Sequence, residues 1–142
     1  MLVLLAAIPV FAPAVRAQRA HVTLYTNREG LPQGQVFDVR QGPLGYLWMA
    51  TYGGLTRYDG ETFRAWTVRD GLVSNAVRSV APTAGHVWVA TERGLCVLKG
   101  DEVGCPHTDL RMFGVTRLTA DAGGWAWAAS PTGVARVAPS GA

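Results

Sequence analysis

Apolar residues in this chain come in short bursts, each closed by glycine, proline or aspartate, and the bursts recur. Four are separable between 35 and 67, at about 35–40, 46–51, 54–58 and 62–67. Between them stand Gly42-Pro43-Leu44-Gly45, Gly53-Gly54 and Asp59-Gly60. Such residues bend a chain: glycine accepts positive φ, and Asp-Gly favours a tight hairpin. The pattern predicts short antiparallel strands joined by turns. Leu47-Trp48-Met49-Ala50 is apolar at successive positions, as expected of a strand covered on both faces.

The pattern also repeats. Trp48 lies in Tyr46-Leu47-Trp48-Met49-Ala50-Thr51, Trp88 in His86-Val87-Trp88-Val89-Ala90-Thr91, and Trp127 in Trp125-Ala126-Trp127-Ala128-Ala129-Ser130. Their spacings are 40 and 39, and each is followed by a glycine-apolar pair: Gly54-Leu55, Gly94-Leu95 and Gly133-Val134. A second register agrees, because His21 to Thr26 followed by Glu29-Gly30-Leu31 matches Thr62 to Thr67 followed by Asp70-Gly71-Leu72, 41 residues on. Four short strands per unit of about 40–45 residues is the arithmetic of a propeller blade. Helical repeats would instead space their apolar residues at 3.6 and would lack such frequent glycine.

The fold class expected is therefore all-β: a β-propeller of about three four-stranded antiparallel blades in an incomplete ring. Units are placed at about 35–67, 76–108 and 114–137, with 21–26 an outer strand of a preceding or closing blade. Trp48, Trp88 and Trp127 are expected to pack in the wedge between blades.

Composition narrows the class further. With 142 residues, 49% of them hydrophobic and 16% charged, the chain suits one folded domain rather than a disordered segment. The net charge is +3, and its arginines are scattered rather than interleaved with aromatics. That footprint speaks against a nucleic-acid partner. The first seventeen residues differ from the rest. Leu2 to Phe11 is an apolar run too short to span a bilayer, and small Val15 and Ala17 precede Gln18 at cleavage-site spacing. Residues 1–17 are read as a signal peptide without a positive start, and 18–142 as an exported, periplasmic propeller segment. Membrane attachment is expected only through a downstream segment, since no other stretch is apolar enough to cross.

Motifs that carry chemistry are not found. His21, His86 and His107 share no ligand spacing, so no metal ligand is assigned. There is no phosphate loop and no nucleophile elbow; no catalytic residue and no cofactor are expected. The acids Asp38, Asp59, Asp70, Glu92, Asp101, Asp109 and Asp121 fall mostly at turns. Cys96 and Cys105 flank a hairpin and are a candidate disulfide. A two-residue Gly100-Asp101 loop puts them opposite each other, whereas the Asp59-Gly60 register would set Cys96 against Val103.

Two longer strings carry a family resemblance. Gly71-Leu72-Val73-Ser74-Asn75-Ala76-Val77-Arg78-Ser79-Val80 followed by Val87 to Leu95, and Gly45 to Gly60, resemble the two-component-regulator propeller repeat. The resemblance covers residues 21 to about 137 and loosens in the third unit, where Met112-Phe113-Gly114 replaces the Ser-Asn turn. It implies a periplasmic sensor propeller ahead of a membrane helix and a histidine kinase or diguanylate cyclase output. The implied partner is a small-molecule or glycan ligand, or a protein, and the full receptor would be a homodimer. The loops 30–34, 71–75 and 110–114 are the expected binding face, without any ligand-binding residue singled out. Two alternatives stand beside it: a propeller enzyme of the streptogramin-lyase type, which carries an acid after Trp-x-x-Thr as Glu92 does here, and a plain protein-interaction propeller. The chain is read as a fragment of a longer receptor, with assembly of several copies into a ring as the other reading.

Overall fold

The computed structural model describes residues 20–108 and 114–139. The segment read as a signal peptide and most of the 110–114 loop lie outside them. Among the described residues, eleven strands form three antiparallel sheets in strict chain order. The first sheet holds β1 (Val36–Gln41), β2 (Leu47–Thr51), β3 (Gly54–Tyr58) and β4 (Phe63–Trp66). The second holds β5 (Val77–Pro82), β6 (Val87–Thr91), β7 (Gly94–Lys99) and β8 (Glu102–His107). The third holds β9 (Arg117–Ala120), β10 (Ala126–Ser130) and β11 (Gly133–Val137). Among the described residues there is no α-helix, only single 3-10 turns at Asn27–Glu29 and Val68–Asp70.

The repeated residues build the same local devices each time. In the β2–β3 turn, Thr51 Oγ1 donates to the Gly54 carbonyl at 2.9 Å and accepts the Gly53 amide at 3.0 Å. Thr91 does the same with Gly94 and Arg93, and Ser130 with Gly133 and Thr132. The hydroxyl thus closes the turn from within, which explains a Thr or Ser three residues before each glycine. Gly54 has φ +122°, and a Cβ there would stand 2.1 Å from the Trp66 carbonyl oxygen, so no other residue fits. Ahead of β5, Thr67 and Asp70 form a capping box, and Gly71 in the left-handed region turns Leu72 into the core, where it is 4% exposed. Thr26, Glu29, Gly30 and Leu31 repeat that device ahead of β1.

Residues 21–26 differ from expectation: they belong to no strand. Strand geometry needs a hydrogen-bonded neighbour, and no described strand pairs with them. Instead the Tyr25 ring rests 5.2 Å from Tyr58 and 5.8 Å from Phe63.

The sheets are held together by two apolar layers. Trp48, Ala50, Leu55 and Trp66 of the first sheet pack against Val80, Val87, Val89 and Leu98 of the second. Trp88, Ala90, Leu95 and Val97 of the second pack against Leu118, Ala126, Ala128 and Val137 of the third. Alternate residues of β6 and β7 therefore serve opposite interfaces, and this is why those strands read as continuous apolar runs. Trp88 is fully buried, and its Nε1 donates to the Gly124 carbonyl of the third sheet at 2.8 Å. Trp127 stands at the same repeat position but is 40% exposed, because no described sheet follows; its Nε1 turns back to Asp121 Oδ2.

Candidate functional site

The first strands of the three sheets converge: β1 packs on β5, and β5 on β9. Where they meet, side chains tie one sheet to the next. Asp38 sits in the middle of β1, only 7% exposed, rather than at a turn. Its Oδ2 accepts the Ser79 hydroxyl of β5 at 2.6 Å and lies 3.4 Å from the Val80 amide. Ser79 Oγ in turn accepts the Leu118 amide of β9 at 2.9 Å. Asp38 and Ser79 are repeat equivalents, so each reaches forward to the amide that follows its own equivalent in the next sheet. The carboxylate is also flanked by Arg40 Nε at 3.2 Å and Arg117 Nη1 at 3.7 Å, and this pairing offsets the cost of burying the charge.

One end of these strands opens into a cleft of about 600 Å³. It is shaped by β-bulges. The pairing register slips between Val36 and Asp38 in β1 and between Val77 and Ser79 in β5, leaving Phe37 and Arg78 as the extra residues. A bulge re-aims its side chain, and here both join one cluster at the mouth. Arg78 Nη2 donates to Tyr52 OH at 3.0 Å and to the Glu92 carboxylate. Its guanidinium lies 4.6 Å from the Phe37 ring and 5.0 Å from the Tyr52 ring, and those rings meet edge to face at 4.8 Å. Bonding to Glu92 holds the Arg78 guanidinium above its ordinary pKa, so it is a fixed cation. Thr91, Arg93, Gly114, Val115 and Thr116 complete the lining.

A second hollow, about 140 Å³, lies between the first and second sheets at the opposite rim, among Tyr46, Trp48, His86 and Leu98. Its one charged group, Arg57, is engaged over the Tyr46, Trp48 and Trp66 rings. The mouth cleft has the larger volume and the greater density of polar groups, and is the candidate site.

The residues singled out by sequence are distributed as follows. Trp48 and Trp88 lie in the two inter-sheet layers. Cys96 and Cys105 are bridged, with Cα atoms 3.9 Å apart, across a β7–β8 pairing that sets Lys99 opposite Glu102 and leaves Gly100-Asp101 as the loop. Of the expected binding loops, 71–75 leads into β5 beside the mouth and Gly114 lines it. Phe37, Tyr52, Arg78 and Arg93 carried no signal of their own; the one clue was the acid at Glu92. Among the described residues, no group of three or more His, Cys, Asp or Glu could hold a metal ion. No described helix is long and apolar enough to cross a membrane.

No family model matches the chain. A curated protein, Histidine kinase P4 of Formosa agariphila, is 35% identical over 57 residues, which is 39% of this chain and 4% of that protein. The extracellular domain of a hybrid two-component system from B. thetaiotaomicron superposes with a TM-score of 0.64 at 16% identity, over 82% of this chain and 17% of that one. A second extracellular domain from the same organism gives a TM-score of 0.48 at 18% identity, over 77% of this chain and 24% of that one. The chain thus spans a small part of the length of the proteins it resembles. Its three consecutive antiparallel sheets have the propeller-like fold of part of a two-component system's extracellular domain.

Proposed function

We propose that this chain is an extracytoplasmic, ligand-sensing arc of a β-propeller within a bacterial signal-transduction receptor, its three sheets being successive blades. The observation that carries the reading is the superposition of 82% of the chain on the extracellular domain of a hybrid two-component system. The local likeness to a histidine kinase points the same way. The output would be a histidine kinase or a diguanylate cyclase beyond a membrane helix, and the chain itself would not be an enzyme. Glu92, the acid that invites a lyase reading, is spent on Arg78, while the equivalent positions hold Tyr52 and Pro131.

The test is the reading frame on either side of the codons for this chain. Further repeats of about forty residues, an apolar helix of about twenty and a kinase or cyclase domain in the same frame are expected. A closed ring of repeats ending without any membrane helix or signalling domain would overturn the receptor role.

A further inference from the structure

The mouth positions vary from unit to unit, and only the second unit places charge there. The positions that build the fold are alike in every unit: Trp48, Trp88 and Trp127; Thr51, Thr91 and Ser130; Gly54, Gly94 and Gly133. The positions that face the mouth are not. The bulge position is Phe37 and Arg78, with Thr116 as its repeat counterpart just ahead of β9; the residue after the turn hydroxyl is Tyr52, Glu92 and Pro131; the next is Gly53, Arg93 and Thr132. Neutral residues at these places satisfy the first and third sheets, so the architecture has no need of Arg78, Glu92 and Arg93 in the second.

The charges do not cancel. Arg78 and Glu92 neutralise each other, and Arg78 is held in place by the Phe37 and Tyr52 rings. Arg93, exposed on the β6–β7 turn, has no acidic partner among the described residues. Deeper along the same strands, Arg117 and Arg40 share the single carboxylate of Asp38, and the Arg117 side chain is 64% exposed. The described lining of the cleft itself holds two guanidinium groups, Arg78 and Arg93, against one carboxylate, Glu92. A cleft lined by one excess sign concentrates counter-ions of the other, and a guanidinium fork matches a planar or tetrahedral oxyanion.

We infer that the mouth cleft binds a small oxyanion-bearing ligand, a carboxylate or a phosphate, with Arg93 as the principal anion contact and Arg78 as its pre-oriented neighbour. The inference rests on the sensing role proposed above and names the chemistry of that site.

Calorimetric titration of the purified full chain with galacturonate, galactose and inorganic phosphate tests it. Galacturonate and galactose share a ring and differ in charge, while phosphate separates a carboxylate source from a phosphate source. Binding of galacturonate, phosphate or both, without galactose, is expected. Arg93→Gln should weaken that binding about tenfold or more, as loss of a charge-assisted hydrogen bond does. Arg28→Gln, on the first 3-10 turn and not among the residues that line the cleft, should leave it unchanged. Arg93 is an exposed turn residue, so its replacement does not disturb the sheets, and an unchanged near-ultraviolet spectrum would confirm that. Galactose binding as tightly as galacturonate would overturn the anion class while leaving a sensing role intact. No binding of any probe at millimolar concentration, or an Arg93→Gln titration equal to wild type, would also overturn it. Failure of the receptor role would show in the reading frame instead.

Discussion

Trp88 and Trp127 occupy the same repeat position, and their surroundings differ in whether a sheet follows. The Trp88 indole is fully buried and bonded across to Gly124, whereas Trp127 is 40% exposed and bonded within its own sheet. Trp88→Phe removes a buried donor and opens a small void, so it should cost about 2 kcal/mol. Trp127→Phe should cost no more than about 0.5 kcal/mol. Urea denaturation of the two variants measures both, and equal losses would contradict the packing described. The tryptophans were legible because a bulky residue at 40-residue spacing stands out in any reading. Asp38 was not. Its importance depends on Ser79, Val80, Arg40 and Arg117 meeting it, and only the convergence of three strands brings those residues together.

At the scale of elements, the β7–β8 hairpin has the one covalent staple among the described residues. The Cys96–Cys105 bridge closes a short loop, nine residues apart in sequence, and so removes freedom from the unfolded chain. Replacing both cysteines by alanine should lower the unfolding free energy by about 2–3 kcal/mol. Faster amide exchange in β8, the outer strand, should accompany the loss. An unchanged urea midpoint would show that the hairpin holds without its bridge. Strand positions were legible to within a residue or two, since glycine, proline and Asp-Gly punctuate the chain where the strands end. The bulges at Phe37 and Arg78 were not, because one extra residue leaves the apolar alternation almost undisturbed. That is why the mouth cluster escaped the sequence while the sheets did not. The segment 21–26, read as an outer strand of a preceding or closing blade, forms no strand here, since strand composition makes a strand only where a neighbouring edge is present.

At the scale of the molecule, the two outermost sheet faces carry apolar residues in the open. Trp127 and Val134 are 40% and 69% exposed on the third sheet, and Val39 and Leu47 are 52% and 36% exposed on the first. These sets are the repeat counterparts of residues that are buried at the two internal interfaces. Exposed apolar sheet faces of this kind associate. The chain on its own should therefore self-associate as its concentration rises, measured by sedimentation velocity. Val134→Lys with Leu47→Lys should shift it toward monomer with little change in stability. A wild-type chain that stays monomeric at high concentration would contradict this. The whole-molecule arrangement was largely legible, since period and strand count point to stacked four-stranded sheets. Which faces stay open followed only once the alternation of β6 and β7 between two interfaces was seen.

The forward ties from Asp38 to the Val80 amide and from Ser79 to the Leu118 amide have a consequence for how such arrays change over generations. Each of these two ties ends on a backbone amide, which every residue but proline supplies, so a copied unit can receive it whatever side chain stands at that point. Duplication of a whole segment keeps that link, while the Ser79 hydroxyl on Asp38 and the apolar layers still require matched side chains. Divergence is then concentrated in the few positions that look into the mouth, where each copy is free to acquire its own specificity.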